Sequence, residues 1–212
     1  MLKSPTSTSN GEYIFTADGF SGNIPVWLKL LAPFKGRANL RFLEIGSFEG
    51  RSAVWLLDTI LTHESSHLTC IDTFERGVET PTAERSPALE NFKHNIRGFG
   101  RRVDYFVGES RDVLRDLPFK DYFDFIYLNG DHKASSVLED AILAFRMLKP
   151  RGVLVFDDYC WRLMHRDIDR PKLAIDVFTH IFSDDLDVVF AGAQIAVIKR
   201  PKMAHTISGK QS

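Results

Sequence analysis

Phe42 Leu43 Glu44 Ile45 Gly46 Ser47 Phe48 Glu49 Gly50 Arg51 Ser52 is the stretch whose reading decides the fold. An apolar run meets an acidic residue and then a loop bounded by two glycines. Beyond it Ala53, Val54, Leu57, Ile60 and Leu61 recur at helical spacing. A strand that turns directly into a helix leaves the helix's first N–H groups unpaired at the strand end. Such a corner can hold a small charged ligand.

Outward from that corner, the same alternation repeats. Strand-like apolar runs cover Leu40 to Ile45, Leu68 to Ile71, Val103 to Val107, Phe123 to Leu128 and Val153 to Phe156. Helical patterns lie between them: Val137, Ala141, Ile142, Phe145 and Leu148, then Ala174, Val177, Phe178, Ile181 and Phe182. Pro150 and Gly152 are expected to close the helix before the fifth strand. Strands alternating with helices imply right-handed crossovers and a mainly parallel sheet. Leu186 to Phe190 and Ala193 to Ile198, split by Ala191 Gly192, read as a closing hairpin. The expected fold class is therefore α/β: a Rossmann-like, doubly wound, mainly parallel seven-stranded sheet with a C-terminal antiparallel hairpin strand.

Three segments are expected: residues 1–38 as an N-terminal extension with a substrate-side helix near Val26 to Leu31, residues 39–200 as the cofactor-binding domain, and residues 201–212 as a flexible tail. Residues 1–10 are expected to start disordered. Residues 75–87 are polar with two prolines, and are expected to form a mobile loop near the site.

With 212 residues and 44% hydrophobic side chains, the chain can bury one sizeable core. Its 27 basic and 28 acidic side chains give a net charge of -1, so nothing pulls it toward nucleic acid or an anionic membrane. No stretch reaches the ~20 apolar residues of a membrane helix, and no signal peptide is visible. Cys70 and Cys160 both sit in apolar sequence and are expected to be reduced core thiols, which suits a cytoplasmic location.

In open α/β sheets, ligands bind beyond the carboxyl ends of the strands. Polar residues stand at each such end here: Glu44 and Gly46, Asp72, Gly108 to Ser110, Asn129 to His132, and Asp157 Asp158. The loop lacks the G-x-G-x-x-G pattern that lets a diphosphate approach. Glu44 beside it favours a cationic ligand by Coulomb sign. Asp72 is placed to accept from ribose hydroxyls, or else to cap a helix. Ser110 is placed either at an adenine edge or as the cap of a helix over Arg111 to Leu117. Asp157 and Asp158, with Asp131 or Asn129, carry the oxygen ligands for Mg²⁺ or another divalent cation; the alternative is one Asp lining a cavity and one capping. His132 in the same place suits a general base. Phe15, Phe20, Trp27, Tyr159 and Trp161 are candidates for a substrate wall or for plain core.

Taken in order and spacing, residues 40–200 resemble the class I S-adenosylmethionine-dependent methyltransferases, most of all the catechol O-methyltransferase-like group and its small bacterial relatives. Leu43 Glu44 Ile45 Gly46 to Gly50 with Ser52 Ala53 Val54 looks like the first motif. Val107 Gly108 Glu109 Ser110 with Asp112 looks like the adenine loop. Phe123 to Leu128 and Gly152 to Tyr159 look like the fourth and fifth strands. The resemblance implies S-adenosylmethionine as cofactor and a small-molecule methyl acceptor. It implies cofactor contacts from Glu44, Gly46, Ser47, Gly50, Ser52, Asp72, Thr73, Phe74, Gly108, Glu109, Ser110 and Asn129. Catalysis would fall to His132, Asp131 and Asp157, and a metal to Asp131, Asp157 and Asp158. Asn129 departs from the acidic residue that metal-using relatives carry, and Lys133 is out of register for the catechol enzymes' lysine. An NAD-type oxidoreductase and a non-catalytic cofactor-binding partner are the rival readings; a homodimer is left open.

Overall fold

The structure, a computed structural model, describes residues 12–75, 87–163 and 165–202. Most of the expected mobile loop before Pro87 and of the expected tail, and all of residues 1–10, lie outside these. Seven strands form one sheet: β1 (Arg41–Ile45), β2 (His67–Asp72), β3 (Val103–Val107), β4 (Phe123–Leu128), β5 (Leu148–Phe156), β6 (Leu186–Ala191) and β7 (Ile195–Lys199). Their order is β3-β2-β1-β4-β5-β7-β6. The first five are parallel, while β7 runs antiparallel between β5 and β6. The order reverses between β1 and β4, and that switch point is where such sheets open a crevice.

Among the described residues six α-helices flank the sheet: α1 (Ile24–Leu30), α2 (Arg51–Thr59), α3 (Ala88–Ile96), α4 (Ser110–Asp116), α5 (Ala134–Met147) and α6 (Pro171–Ile181). Alternate side chains of each strand enter opposite layers. Phe42, Cys70, Phe125, Tyr127 and Val155 pack under α1, α2 and α3 through Trp27, Leu56, Leu57 and Phe92. Leu43, Ile45, Ile126, Leu128, Leu154 and Phe156 pack under α4, α5 and α6 through Leu114, Phe145, Ile175 and Phe178. Burial on both faces explains why β1, β2 and β4 read as continuous apolar runs.

Of the two readings open for Trp27 and Phe20, the core is where they lie: Trp27 is fully buried, edge-on to Tyr127 at 4.6 Å, with Nε1 donating to Gln194 Oε1 at 2.8 Å. Phe20, Trp27, Leu31 and Phe34 all join the same core. Other expectations shift. Cys160 is exposed; only Cys70 is a core thiol. Helix α5 ends at Met147, before Pro150, because Leu148 already pairs with Phe123. The ladder then resumes at Val153 opposite Phe125, so residues 149–152 bulge out and Arg151 turns through a positive φ of 66°. The hairpin turn falls on residues 192–194, later than the Ala191 Gly192 signal suggests.

Candidate active site

Gly46 opens the loop after β1 with φ +85°. A Cβ there would lie 1.8 Å from the Asn129 carbonyl oxygen, so only glycine lets the β1 and β4 ends close on each other. Its N–H donates to Ile71 O, and Asn129 N–H donates to Ile45 O, so three strand ends are stitched together here. Gly50 has φ +79°, and a Cβ on it would meet the Phe92 ring at 2.9 Å.

Strand parity places the acidic residues. Glu44 pairs in register with Cys70 and with Tyr127, and Tyr127 with Val155. All four therefore face the α1–α3 layer. Asp72 and Asp157, two residues beyond Cys70 and Val155, emerge on the same side at the sheet's carboxyl edge. Glu44 is wholly buried beneath the glycine loop rather than open to a ligand. The Ser52 hydroxyl donates to it, as does the Cys70 thiol at 3.6 Å. Burial pushes the Glu44 carboxyl up to about 7, against the pull of those donors. Burial likewise pushes the Cys70 thiol well up.

Asp72 ties two loops. Its Oδ2 accepts Phe48 N–H at 2.7 Å, and its Oδ1 accepts Phe74 N–H at 2.6 Å. Burial raises its carboxyl, and the N–H donors from Phe48, Phe74 and Ser47 offset part of that. Thr73 follows, with its hydroxyl oxygen accepting Glu75 N–H at 3.3 Å. The Phe74 ring turns into the core 5.0 Å from Phe92, leaving only backbone toward the edge. Gly108 N–H donates to Asp72 O, and Glu109 leads into α4. Ser110 starts that helix without capping it; its hydroxyl donates to both oxygens of Asp140 at 2.8 and 2.7 Å. Burial pushes the Asp140 carboxyl up to about 6. Ser47 Oγ is buried without a partner of full hydrogen-bond geometry.

Beyond β4 and β5 a small cleft is lined by Asn129, Gly130, Asp131, His132, Asp140, Asp157 and Asp158, among others. His132 Nε2 lies 2.9 Å from Asp158 Oδ2, and the imidazole stacks on Trp161 with ring centres 4.4 Å apart. Asp158 reaches this position through a positive φ of 57°. Asp157 turns the other way and accepts from the Tyr127 hydroxyl. Burial raises the Asp157 carboxyl; burial, helped by that neighbouring charge, drives the Tyr127 phenol well up. Asp131 faces the start of α5, accepting from His132 N–H, Lys133 N–H and the Ser136 hydroxyl. The three aspartates expected to share a cation thus hold three different partners. Among the described residues no group of three or more His, Cys, Asp or Glu side chains gathers as a cation site. Tyr159 and Trp161 line a neighbouring cleft of about 240 Å³ with Arg162, Arg170 and Lys172.

The residue that sequence reasoning missed is Glu49, inside the glycine loop and 1% exposed. It accepts from Thr16 and from Asn91. The available signal was the pair Asn91 and Asn95, four residues apart on α3, which puts two amides on one helix face.

A parallel five-stranded wing closed by a reversed strand, with its polar groups at one edge of the switch point, defines a Rossmann-like methyltransferase architecture. Known proteins agree. The methyltransferase-domain family matches residues 43–159, more than half of the chain, and the chain belongs to it. An uncharacterised protein of Acanthamoeba polyphaga mimivirus is 29% identical over 141 residues, covering 62% of this chain; the match spans only 57% of that relative's length. The O-methyltransferase TomG of Streptomyces achromogenes, involved in tomaymycin synthesis and solved with S-adenosylmethionine, superposes with a TM-score of 0.61 at 19% identity, over 84% of this chain and 80% of that one. An O-methyltransferase of Bacillus cereus solved with S-adenosylhomocysteine gives 0.60 at 19% identity, over 85% and 82%. These likenesses establish the fold.

Proposed function

We propose that this chain transfers a methyl group from S-adenosylmethionine to an oxygen of a small molecule. The observation that carries the reading is the meeting, on one carboxyl edge, of the glycine loop, Asp72 and the His132–Asp158 pair. Membership of the methyltransferase-domain family supports it, as does the O-methyltransferase activity named for two proteins of the same fold.

When bound, S-adenosylmethionine supplies an electrophilic methyl on a sulfonium centre. The chain's own residues do the rest. The loop from Gly46 to Gly50 borders the amino-acid end. The Ser47 hydroxyl, buried beside Glu44 without a partner of full hydrogen-bond geometry, fits a loop that rearranges slightly around a polar guest. Asp72 accepts N–H groups from Phe48, Phe74 and Ser47, and its two oxygens, with about four lone pairs, keep one for a ribose hydroxyl. Thr73, Gly108, Glu109 and Asn129 border the nucleoside. Glu44 and Ser52 act from below, bracing the loop. His132 takes the acceptor's proton, with Asp158 holding the imidazole's orientation and Trp161 its plane. The carboxylates along the edge favour a positively charged donor. Alignment of acceptor and methyl can lower the barrier by roughly 7–11 kcal/mol. Asp131, Asp157 and Asp158 as arranged do not fit a shared cation, so no step is routed through one.

No described helix is long and apolar enough to cross a membrane. We place the protein in the cytoplasm, on its unpaired cysteines, and expect neither nucleic-acid nor membrane partners; a homodimer is for sedimentation to read. The test is calorimetry with S-adenosylmethionine, S-adenosylhomocysteine and NAD, with and without Mg²⁺ and EDTA, followed by methyl transfer to hydroxylated small molecules. Binding of the first two and not NAD is expected. Preference for NAD overturns the reading.

A further inference from the structure

Residues 13–18 cross the molecule as a strap with no helix or strand of their own, and they are fixed to the glycine loop. Thr16 gives its N–H to Glu49 Oε2 at 2.5 Å and its hydroxyl to Glu49 Oε1 at 2.8 Å. Asn91 adds a donor to the same Oε1 at 2.9 Å. Asn95, one turn along α3, binds both the N–H and the carbonyl of Ile14 at 2.8 Å, and also donates to Glu49 O. Arg51, at the start of α2, donates to Ala17 O at 3.2 Å, lies 3.6 Å from Asp18, and covers the Phe15 ring at 4.3 Å.

The adjoining residue, Phe48, is held from the opposite side by Asp72. Phe48 has φ 47°, a left-handed conformation that an aromatic residue adopts only when its surroundings impose it. The anchors are a carboxylate from β2 on one side and the strap, through Glu49, on the other. Both would have to be in place for the loop to keep its conformation at the crevice.

We propose that the Thr16–Glu49 clasp is part of the cofactor site: the strap holds the glycine loop in its receiving conformation, and Glu49 is a positioning residue for cofactor binding. This rests on the functional reading above and extends it. Coupling of this kind is reciprocal. If the strap favours the receiving loop, a ligand that prefers that loop must tighten the strap by the same factor.

Two measurements on the full chain test this, with S-adenosylhomocysteine as the probe. In calorimetry below each variant's melting temperature, Thr16→Ala and Glu49→Ala should raise Kd, by about tenfold for Glu49→Ala and less for Thr16→Ala, within the usual range for coupled sites. Thr16→Ser should bind as the unmodified chain does. In the unmodified chain, saturation should slow amide exchange at Ile14 and Thr16, a readout that a merely structural clasp would not move. The proposal is overturned if the folded variants bind normally, or if exchange in the strap ignores the ligand. Should Glu49→Ala fail to fold, Thr16→Ala and the exchange measurement decide. An unmodified chain with no affinity for the probe would overturn the functional reading as well, and its own titration would reveal that first.

Discussion

Glu44→Gln isolates the buried carboxyl under the loop. The Glu44 group moves from 4.5 when unfolded to about 7 when folded, with burial as the main cause. An acid whose folded value is raised binds more protons folded than unfolded between those two values. Its contribution therefore favours the fold below the unfolded value and is lost as pH rises through the folded one. At roughly 1.4 kcal/mol per unit, the loss between pH 5 and pH 8 is about 2.5 kcal/mol. Glutamine keeps an oxygen for the Ser52 hydroxyl and has no charge to bury. The assay is urea unfolding of both proteins across that pH range. The stability difference between variant and unmodified chain should grow in the variant's favour by about 2.5 kcal/mol from pH 5 to pH 8. A difference that stays flat across the range would refute the argument that Glu44 is buried without a compensating charge.

Gly46→Ala should cost more than about 3 kcal/mol and abolish cofactor binding, since its Cβ would strike Asn129 O and its φ is +85°; a variant that melts normally and binds would contradict the strand-end geometry. His132→Ala should lower kcat by roughly 10²–10⁴-fold with little change in cofactor Kd, and steady-state kinetics beside calorimetry would separate the two. Lys199→Met should destabilise by about 3 kcal/mol, because Lys199 Nζ binds Asp121, Phe145 O and Leu148 O in a mostly buried site; thermal melts would read it. EDTA should leave turnover unchanged, and restoration by Mg²⁺ of activity lost to the chelator would show that the three aspartates rearrange around a cation.

The sheet was legible because its signals are local: alternating apolar runs, a glycine corner and a closing hairpin. The parity of Glu44, Cys70 and Tyr127 was also open to inspection, since period two assigns each to a face. Whether Glu44 meets solvent or protein was not, because that depends on Ser52 from α2 and Cys70 from β2 closing on it in three dimensions. For Trp27 the sequence left a cleft wall and plain core both open, and its partner Gln194 settles it in the core. For the aspartates the sequence left a shared ion and two separate roles both open, and the positive φ at Asp158 sends the two side chains to separate neighbours.

The insertion of β7 between β5 and β6 has a consequence for synthesis. Trp27 and Gln194 are 167 positions apart, so the layer above the sheet stays unsealed while nearly all of the chain is being translated. The nascent edge of β5 is exposed on the ribosome until the final hairpin emerges. Contacts of such long span slow folding, and an aggregation-prone interval of this kind calls for chaperone protection of that edge. Placing the two hairpin strands at the front of the chain by circular permutation would shorten that interval.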